Sequence, residues 1–386
     1  MSIIPNATFA ALGTTVFTVM SALANEHNAV NLGQGFPDTD GPEDVRAVAA
    51  RALMEASNQY PPMRGLPALR QAVARHEARF YGLEVDPDRG VLVTSGATEA
   101  LTASIMAFVN PGDEVILIEP AYDSYLPIVR QAGATPRFLR LEPPRWRLEE
   151  DRLAALITPK TKLLILNTPH NPVGRVFSDE ELEMVSRLAC HHGFLVVSDE
   201  VYEHIVFDGK RHRPLITFPG MGERTLKIAS AGKTFSLTGW KVGMVTAAPA
   251  LIDQVAKVHQ FLTFTTPPNL QAAVAYGLGK EDAYFDGLIA DMQAKRDRLS
   301  AGLAPLGFNV LPSEGTYFLT CNYAKLSSVD DVTFAKRLVV EAGLATIPLS
   351  PFVEGGWPHR LIRFCFAKQD AVLEEGLARL RRYFGA

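Results

Sequence analysis

Two textures separate along the chain when hydrophobic and polar positions are read in order. Between about residues 45 and 280, short and nearly all-apolar runs alternate with stretches of helical period. The runs are Gly90–Thr94, Glu114–Ile118, Lys162–Leu166, Phe194–Ser198 and Thr225–Ala229; Met244–Thr246 is expected to return antiparallel. Helical spacing covers 42–56, 67–80, 98–108, 124–132 and 179–191, with Pro42 placed to open the first. Strands without polar alternation are buried on both faces, and helices between them make parallel crossovers. The pattern predicts an α/β domain. After about residue 280 the texture changes. A charged helix over 282–303 precedes strands over 308–311, 316–320 and 361–366 and a last helix over 370–383. These read as a smaller α+β unit. The first 30 residues are weakly polar, with an amphipathic stretch near Phe17–Leu23.

A length of 386 residues accommodates two such units. Lys plus Arg is 38 and Asp plus Glu is 42, a net charge of −4, which argues against a nucleic-acid surface. Three cysteines, Cys190, Cys321 and Cys365, form no CxxC pair, so neither a disulfide framework nor a structural zinc site is expected. The first cationic residue is Arg46, and no apolar run approaches the roughly 18 residues of a membrane span. The expectation is a soluble cytoplasmic chain without membrane or nucleic-acid partners.

Several motifs fail on spacing. Gly232-Lys233-Thr234 resembles the end of a P-loop, but Lys227 stands where its first glycine belongs. No GxGxxG follows a predicted strand. Ile228 occupies the first glycine place of a GxSxG elbow around Ser230, and Phe80 takes the second histidine's place after His76-Glu77. No metal site is expected.

Ligands of doubly wound sheets gather at the carboxyl ends of the strands. Those ends carry Ser95–Glu99 opening a helix, Glu119–Tyr122, Asn167–Gly174, Asp199–Tyr202 and Ser230–Lys233. A helix N-terminus suits a phosphate, a lysine can form a Schiff base, and a carboxylate can keep a pyridine nitrogen protonated. Pyridoxal 5′-phosphate (PLP) uses all of these groups.

The wording of these segments also carries a resemblance. Asn31–Pro37 (NLGQGFP), Asn58–Tyr60 (NQY), Asn167–Gly174 (NTPHNPVG), Ser198–Tyr202 (SDEVY), Ser230–Gly243 (SAGKTFSLTGWKVG) and Arg360–Phe366 (RLIRFCF) resemble the class I/II PLP-dependent aminotransferases of fold type I. Within these, the chain is similar to the group of kynurenine aminotransferases, glutamine transaminase K and methionine aminotransferases, and also to N-succinyldiaminopimelate aminotransferase-like enzymes. The resemblance implies a large domain over 41–283 with a mostly parallel seven-stranded sheet, and a small domain formed by 1–40 and 284–386. It makes Lys233 the Schiff-base lysine and proton carrier, and Asp199 the partner of the pyridine nitrogen, although a strand-end Asp is also a common helix cap. Tyr202 and Asn171 become donors to the cofactor's 3′-oxygen. Tyr122 and Val201 become its flanking contacts, though either could equally be ordinary core. Ala97, Thr98, Ser230 and Lys241 would hold the phosphate; many relatives carry arginine at the last position. Tyr60 would reach the phosphate of a partner subunit, which implies a homodimer with shared active sites. Arg363, with Gly35 and Asn171, would receive the substrate α-carboxylate.

Specificity is expected from Phe17, Phe352 and Phe264, the last contributed by a partner. An aromatic lining without an assigned second arginine favours neutral, aromatic or sulfur-containing amino acids over aspartate or succinylated diaminopimelate. The expected activity is ping-pong transfer of an amino group to a 2-oxo acid. The alternatives are a cysteine-conjugate β-lyase using the same site, an N-succinyldiaminopimelate aminotransferase, and a ligand-sensing domain. The last usually accompanies a DNA-binding domain, for which this chain has no room or basic segment.

Overall fold

The computed structural model describes residues 3–385. Its central sheet has seven strands in the spatial order Val91–Thr94, Gly243–Thr246, Thr225–Ser230, Leu195–Asp199, Thr161–Asn167, Glu114–Glu119 and Thr135–Arg140. All pairs are parallel except those of Gly243–Thr246, which runs antiparallel to both neighbours. The expected α/β class and the antiparallel return are both present. Apolar clusters cover the sheet on each side. Leu226, Val245, Ala100 and Val255 belong to one, and Leu164, Val196, Leu182 and Val185 to another.

Register decides where chemistry can occur. Asn167 lies beside Asp199, Asp199 beside Ile228, and Ser230 beside Gly243, so the polar strand ends reach one level. Lys227, the residue that broke the P-loop spacing, is fully buried in the sheet. Its Nζ lies 2.7 Å from both Glu77 Oε1 and Glu203 Oε2, tying the helix Pro67–Tyr81 to the strands.

Several elements lie outside the sequence expectation, among them one strand and two helices of the region around the central sheet. Thr135–Arg140 is an edge strand whose positions are mostly half-exposed and include Pro136, Arg137 and Arg140, so it has no apolar run. The helices Pro249–Leu262 and Pro268–Leu278 each begin on a proline, a start signal that went unused.

In the C-terminal region, Ile347–Pro348, Leu361–Cys365, Phe318–Asn322 and Asn309–Val310 form an antiparallel sheet in that order. Val30–Asn31 pairs in parallel with Leu344–Ala345, and the Cys365 amide donates to the Leu32 carbonyl at 2.6 Å. The N-terminal segment is thereby laid beside Arg363. Among the described residues, no helix is long and apolar enough to cross a membrane.

Candidate active site

A cavity of about 350 Å³ opens at the carboxyl ends of the central strands. Lys233 enters it from a one-turn helix, Ala231–Thr234, which follows directly on the strand Thr225–Ser230. Lys233 Nζ donates to the Tyr317 hydroxyl at 2.9 Å, and that hydroxyl donates to the Gly35 carbonyl at 2.7 Å. Burial lowers the lysine from its ordinary 10.5 to about 8. About a tenth of the amine is therefore neutral at pH 7, far more than an ordinary lysine offers.

Asp199 ends the neighbouring strand, Leu195–Asp199. Its Oδ2 accepts from Tyr125 at 2.5 Å, and its backbone carbonyl accepts from Asn167 Nδ2 at 2.8 Å. Burial raises the carboxyl from 3.8 to about 6; the Tyr125 hydrogen bond opposes that rise. Among the described residues, no cation forms a salt bridge with this carboxylate.

A third corner is built for an anion. Ala97 and Thr98 lie in the first turn of the helix Gly96–Phe108, where backbone N–H groups lack intrahelical acceptors. Ser230 and Lys241 line the same cavity. Gly243 makes the approach possible: a Cβ there would sit 2.5 Å from the Gly96 carbonyl carbon. Glu99 holds the turn, accepting from the Ser95 amide at 2.7 Å and pairing with His259 Nδ1 at 2.7 Å.

Arg363 forms the fourth corner. Its guanidinium is fully buried, stacked 3.8 Å from the Phe318 ring centre and 5.3 Å from that of Phe17. It donates to Asn171 Oδ1 at 2.9 Å and to the Gly33 carbonyl at 3.1 Å; its Nε has no partner. No carboxylate forms a salt bridge with it among the described residues. A buried guanidinium with only neutral acceptors and an idle donor is arranged to receive a carboxylate.

The profile of the family described as aminotransferase class I and II matches residues 27–380. The chain belongs to that family. It is 43% identical to the methionine aminotransferase of Escherichia coli over 380 residues, spanning 98% of each chain. It is 45% identical to a probable N-succinyldiaminopimelate aminotransferase of Mycobacterium tuberculosis, spanning 95% of each. The solved structure of the N-succinyldiaminopimelate aminotransferase from M. tuberculosis superposes with a TM-score of 0.96 at 44% identity, covering 98% of this chain and 100% of that one.

In this aminotransferase the fold brings most of the residues singled out from sequence around one cavity. Phe17, Gly35, Tyr122, Asn171, Val201 and Tyr202 line it together with the four corners described above. Three others do not line the cavity of the single chain. Tyr60 is 82% exposed and meets Phe264, itself 39% exposed, edge-on at 5.4 Å between ring centres. Phe352 is buried behind Phe17, edge-on at 5.7 Å. Sequence reasoning missed Tyr125 and Tyr317. Tyr125 had a signal: it opens the helix Tyr125–Gln131 only three residues after Tyr122, and their ring centres are 5.7 Å apart. For Tyr317 no motif pointed to the site.

Proposed function

We propose that this aminotransferase works with PLP and exchanges the amino group of a neutral, aromatic or sulfur-containing amino acid with a 2-oxo acid. The lining residues fit PLP. Lys233 offers an amine, Asp199 an anion for the pyridine nitrogen, and Tyr202 and Asn171 donors for the 3′-oxygen. Tyr122 and Val201 would flank the ring; Ala97, Thr98, Ser230 and Lys241 would hold the phosphate. When bound there, PLP supplies an electron sink for the bond broken at the substrate Cα.

The protein's own groups do the rest. Arg363, with Asn171 and the Gly35 loop, orients the α-carboxylate and so aims the Cα–H bond at Lys233 Nζ. That amine would take the proton from the substrate Cα and return it to the cofactor C4′. Tyr125 keeps Asp199 anionic against the effect of burial. The Tyr60–Phe264 pair, exposed in one chain, would complete the site of a second copy, so the proposed working form is a homodimer; the same reading places it in the cytoplasm. The division into 41–283 and 1–40 with 284–386 belongs to the same reading: it places Arg363 and Phe17 in one unit and Lys233 in the other.

One observation carries the substrate class. The charged side chains lining the cavity are Asp199, Lys233, Lys241 and Arg363. With PLP and the substrate α-carboxylate in place, each has a partner, and no further cation remains for a side-chain carboxylate. Phe17, Phe36 and Phe318 are left to meet the substrate side chain. The test is a panel of methionine, glutamine, phenylalanine, kynurenine, aspartate and N-succinyl-diaminopimelate with PLP and a common 2-oxo acid. Higher kcat/KM for the first four supports the reading. Preference for the dicarboxylates sinks the substrate class. Absence of visible absorbance from lysine-bound PLP sinks the cofactor.

A further inference from the structure

The Lys233–Tyr317–Gly35 chain has a direction. The Tyr317 hydroxyl hydrogen is committed to the Gly35 carbonyl at 2.7 Å. Toward Lys233 the phenol oxygen, 2.9 Å away, is left only to accept. The lysine must therefore spend an N–H on Tyr317. A neutral amine has two N–H bonds and one lone pair. With one N–H pinned, its rotation is restricted and its lone pair is turned away from the phenol. The phenol itself is held firmly. Tyr317 is buried, and its ring packs edge-on against Tyr202 at 5.1 Å and against Phe318 at 4.8 Å.

The acceptor of the chain is equally placed. Gly35 lies two residues after Gly33, whose carbonyl accepts from Arg363. A Cβ on Gly35 would sit 2.9 Å from the Phe318 ring, so the loop lies flat on the aromatic that stacks on the guanidinium. One short segment thus touches both the carboxylate receptor and the lysine's anchor.

We propose that Tyr317 is a positioning residue for Lys233: its oxygen fixes the free amine with the lone pair toward the substrate Cα, in register with the loop that holds Arg363. The proposal rests on the reading of Lys233 as proton carrier. It assigns Tyr317 no proton of its own to transfer, since its hydrogen stays on Gly35.

Tyr317→Phe keeps the ring and removes the oxygen. Two readouts are needed. In protein freed of PLP, trace acetylation of Lys233 followed by mass spectrometry across pH reports its titration. An acceptor stabilises the ammonium more than the amine, so its loss lowers the midpoint by about one unit. In PLP-loaded enzyme, kcat falls about tenfold and the primary isotope effect on a Cα-deuterated donor rises, because proton transfer is the impaired step. PLP affinity and thermal midpoint stay near those of the parent. An unchanged acetylation midpoint with an unchanged isotope effect overturns the proposal. A higher KM with unaltered kcat also overturns it, since that marks a loop role alone. If the parent protein never acquires the absorbance of lysine-bound PLP, the underlying reading fails instead, and the two failures are told apart.

Discussion

Tyr125 donates its hydroxyl hydrogen to Asp199 Oδ2 at 2.5 Å, and both groups are buried. That hydrogen bond favours the carboxylate form, opposing the burial that pushes the Asp199 carboxyl up to about 6. Removing it with Tyr125→Phe lifts the carboxyl further. The acid limb of kcat/KM then moves to higher pH, and kcat at pH 7 falls about tenfold, consistent with roughly 1.5 kcal/mol for a hydrogen bond to a charged group. A pH–rate profile superposable on that of the parent would remove Tyr125 from the mechanism.

Asp199 also predicts a stability change that needs no turnover. Its carboxyl stands near 3.8 when unfolded and about 6 when folded. Between those values the folded chain binds more protons, so stability falls as pH rises through the interval. The cost is absent below about pH 4 and complete above about pH 6. Asp199→Asn removes it while keeping an oxygen for Tyr125. In PLP-free protein the variant should unfold at higher urea than the parent at pH 7, by at most about 3 kcal/mol, and the gap should close at pH 4. A variant less stable than the parent at pH 7 would refute this.

The cavity's strand-end residues were legible because strands without polar alternation announce themselves, and whatever follows them converges at one end of a parallel sheet. Asp199, Asn171, Ser230 and Lys233 were found that way. Thr135–Arg140 was hidden because an edge strand covered on one side mixes proline and arginine with apolar residues. Tyr317 was hidden for another reason. It differs from any core tyrosine beside a short strand only in what it meets, and Lys233 lies 84 residues away in sequence. Phe264 and Tyr60 are exposed aromatics in one chain, and the proposed homodimer would cover them.

The buried ion group beneath the sheet should matter for stability and not for chemistry. Lys227 Nζ reaches both Glu77 and Glu203 at 2.7 Å with all three side chains nearly free of solvent contact. Lys227→Met leaves two carboxylates without their cation. Breaking a buried pair from one side costs about 3–5 kcal/mol. The urea midpoint should drop accordingly, while kcat per folded, PLP-loaded molecule stays within twofold. A midpoint equal to that of the parent would show that the cluster contributes nothing measurable.

Arg363 sets function against stability at a single position. Its guanidinium is buried and, among the described residues, bonds only to the Asn171 amide oxygen and the Gly33 carbonyl and leaves Nε unpaired. Burial accordingly lowers its pKa from the ordinary arginine value. Such a group is costly until a carboxylate arrives. Arg363→Met keeps volume and apolar packing against Phe17 and Phe318 while discarding the charge. Losing a desolvated bidentate contact costs at least about 3 kcal/mol, so kcat/KM should fall by two orders of magnitude or more. Arg363→Lys keeps the charge without the fork and should recover only part of that loss. In the same Met variant, without substrate, the thermal midpoint should hold or rise. Inhibition by simple monocarboxylates should disappear alongside the activity, whereas binding of PLP, held at the other three corners, should be unaffected. A Met variant that is both active and less stable would mean that Arg363 serves the fold and that the substrate carboxylate is received elsewhere.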